Sequence, residues 1–232
     1  MSIANASPPA SIAPSVINYV QPIAYIAPMT QRDAIALIDH PLLHTATPTH
    51  WADLGCGSGT FTLALAQLLT PGSTIEAIDL RPGIKPQTTA GGVTIIPRSA
   101  DFVADDLALT GLDGILMANS LHYVRDKLAL LQKLRAYYRG SAPASGAPAS
   151  AAPTPAGTPL AGTPLGAGDA TAGALLLVEY DTDRPTPHWV PYPLNFAAAA
   201  KLISAAGWTS VQKLGSRPSA FGRSELYAAL AT

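Results

Sequence analysis

The chain has 232 residues, of which 48% are hydrophobic and only 12% are charged. This composition predicts one packed globular domain with a substantial core. The formal net charge of −1 gives no electrostatic reason to expect nucleic acid as a partner.

Cysteine content and hydropathy restrict the setting further. Cys56 is the only cysteine, which excludes an internal disulfide and any cysteine-rich metal site, so we expect no metal and a reducing compartment. The chain contains no apolar run of membrane-spanning length, and its start lacks the basic region and long apolar core of a secretory signal. The simplest interpretation is a cytoplasmic protein with no membrane partner.

The N-terminal residues are predicted to precede the folded domain. The first twenty or so of residues 1–29 are rich in Ala, Ser and Pro, and the rest contain Pro22 and Pro28. This composition predicts a flexible tail. The predicted domain, 30–232, begins with a helix that Thr30 caps. Tyr25 and Met29 could line a cleft beside this helix, although plain packing is the favoured interpretation.

The most informative stretch is Trp51–Ala66, WADLGCGSGTFTLALA, which has the pattern of a strand, a turn and a helix. Gly55, Gly57 and Gly59 stand at every second position, where they permit unusual dihedrals and let a ligand approach the backbone. The turn leads into a helix N-terminus, whose free N–H groups attract anionic or electron-rich ligands. This pattern predicts a nucleotide-type ligand; the alternative is a turn that only connects a strand to a helix.

Three familiar motifs do not fit this stretch. Thr60 replaces the third glycine of the dinucleotide fingerprint, and no lysine is present for a Walker loop. Cys56 lies two residues before Ser58, where the nucleophile elbow requires glycine. What remains is acid-x-G-x-G-x-G, with Asp53 as the acid. It resembles motif I of the class I S-adenosylmethionine-dependent methyltransferases.

The resemblance implies a fold and a cofactor. The implied fold is α/β, a Rossmann-like three-layer sandwich. Its seven-stranded, mostly parallel sheet has the order 3-2-1-4-5-7-6, the last strand antiparallel, and helices on both faces. The implied cofactor is S-adenosyl-L-methionine. The glycine turn, with Cys56, would pack against its methionine part, and Asp53 would help to place its ammonium group.

A second acidic residue ends the next predicted strand, Thr74–Leu80. Asp79 lies roughly twenty residues after the glycine turn, where an acid accepts hydrogen bonds from ribose hydroxyls. Leu80 is assigned to the same cofactor site. The alternative for Asp79 is a turn residue ahead of Arg81.

A third acidic residue, Asp101, follows the predicted strand Val93–Pro97. The resemblance implies that Asp101 bonds the adenine amino group while Phe102 lies beside the ring. Asp105 and Asp106 are close enough in sequence to be confused with it. Asp101 could also be an ordinary N-cap.

The predicted strand Leu112–Ala118 delivers polar residues to its carboxyl end, where open α/β sheets bind ligands. Asn119 and Ser120 are therefore predicted cofactor contacts. His122 is a candidate base, because imidazole titrates near neutral pH. Packing over the cofactor, or capping of the next helix, is an equally open interpretation. The Asn/Asp-Pro-Pro-Tyr motif of enzymes that methylate adenine or amide nitrogens is absent.

A low-complexity segment interrupts the domain at 141–172. It consists almost wholly of Ala, Pro, Gly, Ser and Thr, with the local echo AGTPLAGTPL. Little in it could drive folding. We predict a flexible insertion at the amino end of the sheet, within a single domain.

The last third of the chain supplies the remaining candidates. Tyr180 ends the predicted strand Gly173–Tyr180 and is the second candidate base. Tyr192, in a stretch rich in proline and aromatic residues, is predicted to line an acceptor pocket. Arg217 and Arg223 are placed in the loop of a closing hairpin. There they could hold an acidic acceptor, although solvated loop arginines are commoner.

These observations predict a methyltransferase (EC 2.1.1.-) that acts on a small-molecule acceptor through an oxygen, nitrogen or carbon nucleophile. The alternative is a catalytically inactive module that binds S-adenosylmethionine and regulates or recruits a partner. An NAD-dependent oxidoreductase is disfavoured by Thr60.

Overall fold

The structure, a computed structural model, describes residues 29–140, 173–219 and 224–232. Most of the predicted tail and the whole predicted insertion lie outside these ranges, as does Arg223. Within the described ranges, no helix is both long and apolar enough to cross a membrane.

One eight-stranded sheet forms the centre of the fold, in the order β3-β4-β2-β1-β5-β6-β8-β7. The strands are β1 (His50–Leu54), β2 (Thr74–Asp79), β3 (Gln87–Thr88), β4 (Thr94–Ser99), β5 (Gly114–Ala118), β6 (Ala174–Asp181), β7 (Val211–Pro218) and β8 (Glu225–Ala231). Strands β4, β2, β1, β5 and β6 are parallel, and β8 pairs antiparallel with both β6 and β7.

The predicted count of seven strands is corrected to eight. The additional strand, β3, has two residues and pairs antiparallel with β4 at the sheet edge. Both of its residues are exposed, so no hydrophobic pattern marks it in the sequence. Without β3, the observed order is the predicted 3-2-1-4-5-7-6 with an antiparallel last strand.

Among the described residues, two α-helices cover each face of the sheet and bury its apolar side chains. They are α1 (Gln31–Ile38), α2 (Thr60–Leu68), α3 (Lys127–Arg135) and α4 (Phe196–Ala205). Helices α1 and α2 pack together on one face, and α3 and α4 pack together on the other. Thr30 caps α1 as predicted: its Oγ1 accepts a hydrogen bond from Asp33 N at 3.1 Å, and the Asp33 carboxylate accepts one from Thr30 N at 3.2 Å.

Helix α3 is confined to Lys127–Arg135. A 3₁₀ turn, Leu121–Tyr123, comes first, and Asp126 then caps the helix by accepting a hydrogen bond from Ala129 N at 3.0 Å. The helix therefore begins at Lys127. It ends at Arg135. Tyr138, which follows the helix, is buried and forms an isolated parallel β-bridge with Leu112.

Loops replace helices over part of the sheet. The described segments between β2 and β4 and between β4 and β5 contain no α-helix. Leu107, Leu109 and Leu112, from the second of these loops, are buried in the core on the α3 side. Ile84, from the first, is buried on the α2 side. These loop side chains therefore complete the core in place of helices. The carboxyl ends of β2 and β4 are left accessible to a ligand.

The closing hairpin also differs from its prediction. Strand β7 continues through Pro218, which pairs with Glu225 of β8, after an irregularity between Lys213 and Gly215. Arg217 therefore lies on a strand and not in a loop, which corrects its predicted placement. Its Nη1 is 3.0 Å from Asp33 Oδ2, so it ties β7 to α1.

Candidate functional site

A cavity of about 700 Å³ opens at the carboxyl ends of β1, β2, β4 and β5. All the predicted cofactor residues except Gly59 line it: Asp53, Gly55, Cys56, Gly57, Asp79, Leu80, Asp101, Phe102, Asn119 and Ser120. The parallel strands bring together residues that are far apart in the sequence.

Three glycines of the turn after β1 have positive φ, but for different reasons. Gly55 (φ +84°) passes so close to Ser120 that a Cβ on Gly55 would lie 2.4 Å from Ser120 Cβ. A Cβ on Gly57 (φ +51°) would meet no described atom within 4 Å, because Gly57 faces the cavity. Gly59 (φ +85°) leads into α2 and packs on Ile84, 2.7 Å from its would-be Cβ. The role of Gly59 is therefore packing behind the turn.

Asp79 holds the glycine turn in place. Its Oδ2 accepts a hydrogen bond from Gly57 N at 3.0 Å, and its Oδ1 accepts one from Arg81 N at 2.9 Å. The turn interpretation of Asp79 is thus correct. The carboxylate also lines the cavity, and each of its oxygens has a further lone pair with which it can accept a hydroxyl donor.

Asp53 is buried with one oxygen unused. Its Oδ2 accepts a hydrogen bond from Thr62 Oγ1 at 2.6 Å, whereas Oδ1 has no partner among the described residues. Burial raises the pKa of Asp53 to about 7 against the opposing Thr62 hydrogen bond, and the charge of Asp79 adds to the rise. A cation that donates a hydrogen bond to Oδ1 would restore the ionised form.

Asn119 provides a second unused acceptor at the same wall. Its backbone has φ +55°, a left-handed conformation that is costly for a residue with a side chain. Its Oδ1 is buried and has no partner among the described residues. Asp53 and Asn119 both line the cavity, and each keeps one buried acceptor without a partner among the described residues. A group with several N–H donors, such as an ammonium, fits this arrangement.

Asp101 and Phe102, which follow β4, also line the cavity. Asp101 Oδ1 accepts hydrogen bonds from Val103 N at 2.9 Å and Ala104 N at 3.1 Å. Asp101 therefore stabilises a turn and is not an N-cap, because no α-helix begins there in the described residues. A Cβ on Gly55 would lie 3.4 Å from the Phe102 ring, so the ring packs against the glycine turn.

Cys56 contributes packing rather than reactivity. Burial, reinforced by the charges of Asp53 and Asp79, raises the pKa of Cys56 to about 12. The thiol is therefore protonated at neutral pH and is a poor nucleophile.

His122 is paired with a carboxylate that the sequence did not single out. His122 Nδ1 lies 2.6 Å from Glu179 Oε2, and His122 N donates to Glu179 Oε1 at 3.0 Å. The His122 side chain is 2% exposed and lies outside the cavity wall, with its imidazole 4.3 Å from the Tyr123 ring. The available signal was Glu179 itself, since a carboxylate inside the apolar strand GALLLVEY requires a partner.

Two other predicted residues, Tyr180 and Tyr192, lie around His122 rather than in the cavity wall. Tyr180 is buried, its ring 5.7 Å from that of His122. Burial raises the pKa of Tyr180 despite hydrogen bonds with Trp189 and Ser219, so the phenol keeps its proton at neutral pH. Tyr192 is 38% exposed and donates its backbone N–H to His122 O at 3.0 Å.

Thr62, which was not predicted, orients Asp53 from the inner face of α2. Tyr123, which follows β5, is half-exposed and lines the cavity. Met29 lines it too, although plain packing was the favoured interpretation, while Tyr25 lies outside the described residues. In the part of the chain that the structure describes, no three His, Cys, Asp or Glu side chains are grouped to hold a metal ion.

Neither a protein-family model nor a curated protein matches the sequence. Solved structures do match. The N-terminal domain of EvdMO1 with SAH bound is 18% identical, over 87% of this chain and 79% of that one, with a TM-score of 0.51. This chain covers 37% of the longer EvdMO1 chain.

Two further neighbours have the same architecture. Burkholderia thailandensis 1,6-didemethyltoxoflavin-N1-methyltransferase, with bound 1,6-didemethyltoxoflavin and S-adenosylhomocysteine, is 19% identical over 87% of this chain and 78% of that one, with a TM-score of 0.52. A putative O-methyltransferase from Nostoc punctiforme PCC 73102 is 16% identical over 87% of this chain and 56% of that one, also with a TM-score of 0.52. At these identities the likeness establishes the shared fold.

Proposed function

We propose that this chain, which has the fold of the class I S-adenosylmethionine-dependent methyltransferases, binds S-adenosyl-L-methionine and transfers its methyl group to a small-molecule acceptor. The observation that carries the proposal is the pair of orphan acceptors, Asp53 Oδ1 and Asn119 Oδ1, at the wall of the cavity behind the glycine turn. They suit the ammonium of an amino acid, while Asp79 suits the hydroxyls of a ribose. S-adenosylmethionine carries both groups.

The residues divide along the cavity. Asp53 and Asn119 would hold the ammonium, and the turn at Gly55 and Gly57 would pack on the methionine part. Asp79 would hold the ribose. The adenine contacts would come from Leu80, Asp101 and Phe102. When bound, the cofactor supplies an electrophilic methyl group on a sulfonium sulfur, so the protein has to supply alignment and exclusion of water.

The proposed acceptor is a small molecule, and the proposed setting is the cytoplasm. A cavity of about 700 Å³ has the size of small-molecule sites. The formal net charge of −1 offers no general attraction for a nucleic acid. One buried, protonated cysteine suits a reducing compartment.

His122 is the proposed base for an acceptor hydroxyl or amine. Its Nδ1, donating to Glu179, leaves Nε2 to take a proton. Because the imidazole is 2% exposed, an acceptor reaches it only if a covering side chain moves. The half-exposed ring of Tyr123 lies 4.3 Å from the imidazole.

His122→Ala should leave S-adenosylhomocysteine affinity within about twofold and lower turnover at neutral pH by about 100-fold or more, the usual contribution of a positioned base. Isothermal titration and a methyl-transfer assay measure the two effects. His44→Ala is the matched control, since His44 is exposed and pairs with Asp39 at 2.7 Å. Equal turnover in the His122→Ala protein would remove this residue from the mechanism.

A non-catalytic cofactor-binding module is the second candidate. The observation that favours it is the deep burial of His122 outside the cavity wall. Such a protein would bind S-adenosylmethionine yet release no methylated product with any acceptor.

Calorimetric titration with S-adenosylmethionine, S-adenosylhomocysteine and NAD tests the proposed function directly. Micromolar binding of the two sulfur nucleosides is the expected result. Binding of NAD alone would mean that the glycine turn accommodates a dinucleotide. Binding of none of the three would leave the fold without the proposed function.

Asp53 should make ligand binding depend on pH. With its pKa raised to about 7, its carboxyl is mainly neutral at pH 6 and ionised at pH 8. An ammonium-bearing ligand favours the ionised form, so affinity should increase as pH rises through 7, and binding below pH 7 should release a proton. Calorimetry of S-adenosylhomocysteine in buffers with different ionisation enthalpies measures that proton.

The same group affects the stability of the ligand-free protein with the opposite trend. The unfolded carboxyl titrates near 3.8 and the folded one near 7, so the folded state holds the extra proton between these values. Stability should therefore fall with rising pH across this window, by at most about 1.4 kcal/mol per pH unit. Asp53→Asn should abolish the dependence, and Thr62→Val should move it to higher pH. Identical pH profiles in all three proteins would contradict the assignment.

A further inference from the structure

Eight large apolar side chains are exposed among the described residues, and five of them lie in the connections that follow β2, β4, β5 and β6 ahead of the next α-helix or strand. Of these five, Leu80 and Val103 line the cofactor cavity. The others are aromatic: Tyr123, Trp189 and Tyr192, which are 53%, 44% and 38% exposed. Aromatic residues make up only 6% of the chain, so three large exposed rings at one edge are unusual. We call them the aromatic patch.

His122 and its neighbours bring the patch together. The Tyr123 ring lies 4.3 Å from the His122 imidazole, and Tyr192 N donates to His122 O at 3.0 Å. Trp189 hydrogen bonds to Tyr180, whose ring lies 5.7 Å from that of His122. Each member of the patch is therefore linked to His122, either directly or through Tyr180.

The backbone holds Trp189 and Tyr192 outward. An antiparallel bridge between Thr186 and Val190 closes a short turn that carries Trp189 at its end. Below Tyr192 lies Lys127, whose Nζ is 5.4 Å from the centroid of the Tyr192 ring and donates to Val124 O at 2.8 Å. These contacts fix the positions of the Trp189 and Tyr192 rings in the free protein. Less side-chain conformational entropy is therefore lost when a ligand binds.

The patch is continuous with the cavity, because Tyr123 belongs to both. Exposed apolar surface beside a cleft is characteristic of ligand sites. Flat rings gain most from another ring, through offset stacking or edge-to-face contact. We propose that the methyl acceptor carries an aromatic ring, which packs on Tyr123, Trp189 and Tyr192 beside the cofactor. This inference rests on the proposed function.

The test compares two alcohols of similar shape, 2-naphthol and its saturated counterpart decahydro-2-naphthol. Each is titrated by saturation-transfer NMR against the full chain, with S-adenosylhomocysteine present. We expect 2-naphthol to bind about tenfold more tightly than the saturated alcohol, since ring–ring contacts add to the apolar area that both bury.

Variants locate the binding. Trp189→Ala and Tyr192→Ala should each lower the affinity for 2-naphthol by about twofold to tenfold. Trp189→Phe and Tyr192→Phe keep a ring, so their affinity for 2-naphthol should fall by less than about twofold. Leu42→Ala is the matched control, because Leu42 is an apolar side chain of similar exposure, 37%, in the segment leading into β1. S-adenosylhomocysteine affinity should stay constant throughout.

Tryptophan emission gives a second readout. Trp189 is 44% exposed, whereas Trp51 and Trp208 are 2% exposed. Acrylamide should therefore quench Trp189 selectively in the free protein. If no tryptophan is quenched in the free protein, another part of the chain occupies the patch, and the inference is wrong.

The two hypotheses fail in different ways. Equal affinity for the two alcohols, or alanine variants that bind 2-naphthol normally, would overturn the aromatic acceptor while S-adenosylhomocysteine still binds. Failure of S-adenosylhomocysteine itself to bind would overturn the proposed function and, with it, the assignment of the patch to an acceptor.

Discussion

Asp79→Ala should weaken the binding of S-adenosylhomocysteine by about 100-fold or more. The carboxylate is proposed to accept two ribose hydroxyls, and charge-assisted hydrogen bonds contribute about 1.5–3 kcal/mol each. It also fixes the turn, since its oxygens accept hydrogen bonds from Gly57 N at 3.0 Å and Arg81 N at 2.9 Å. Isothermal titration measures the loss, and thermal unfolding measures how far the turn alone is disturbed.

Two companion variants separate these contributions. Asp79→Asn keeps one carbonyl oxygen for a backbone N–H but loses the charge. Its affinity for S-adenosylhomocysteine should therefore lie between those of the unmodified protein and Asp79→Ala. Asp39→Ala removes a half-exposed carboxylate that pairs with His44 and should bind normally. Full affinity in Asp79→Ala would show that no ribose is held at the end of β2.

Gly57→Ala should damage binding more than folding, and Gly55→Ala the reverse. A Cβ on Gly57 meets no described atom within 4 Å, so the fold loses only the left-handed strain of about 1 kcal/mol. The methyl group, however, enters the cavity and should weaken S-adenosylhomocysteine by about 10- to 100-fold. On Gly55 the same methyl group would lie 2.4 Å from Ser120 Cβ, which should destabilise the protein by about 2–4 kcal/mol.

Gly111→Ala is the control for this pair. Gly111 has φ +65° with no described atom within 4 Å of a Cβ, so it carries the same strain. It lies in the loop that leads into β5, away from the cavity lining. Chemical denaturation and titration should show Gly111→Ala with the stability loss of Gly57→Ala and unchanged affinity. Equal affinity in the Gly57 and Gly111 variants would mean that no ligand approaches the turn.

The predictions succeeded where a signal is contained within one short segment. The turn at Gly55–Gly59 follows β1, Asp79 ends β2 and Asp101 follows β4, and parallel pairing brings these three positions to one edge. The two-residue strand Gln87–Thr88 carries no such signal. The continuation of β7 to Pro218 depends on its pairing with β8, which local hydropathy does not reveal.

The missed features of the site are contacts between distant segments. Glu179 and His122 are 57 residues apart in the sequence and meet because β5 and β6 are neighbours. Arg217 looked like a loop residue, yet its partner is Asp33, at the other end of the chain. Neither contact follows from a fixed spacing of the two residues in the sequence. Both contacts become apparent only when the strands are assembled into the sheet.

The contact between Arg217 and Asp33 has a consequence for motion. It joins the outermost strand, β7, to α1, and Arg217 Nη1 also lies 3.0 Å from the sulfur of Met29 at the cavity edge. Opening either element breaks the same ion pair, so their amide hydrogens should exchange with solvent through shared local unfolding events. A ligand resting against Met29 would then slow exchange along β7, a strand outside the cavity lining. Hydrogen exchange at the β7 edge of the sheet would then depend on whether a ligand occupies the cavity, although β7 does not line that cavity.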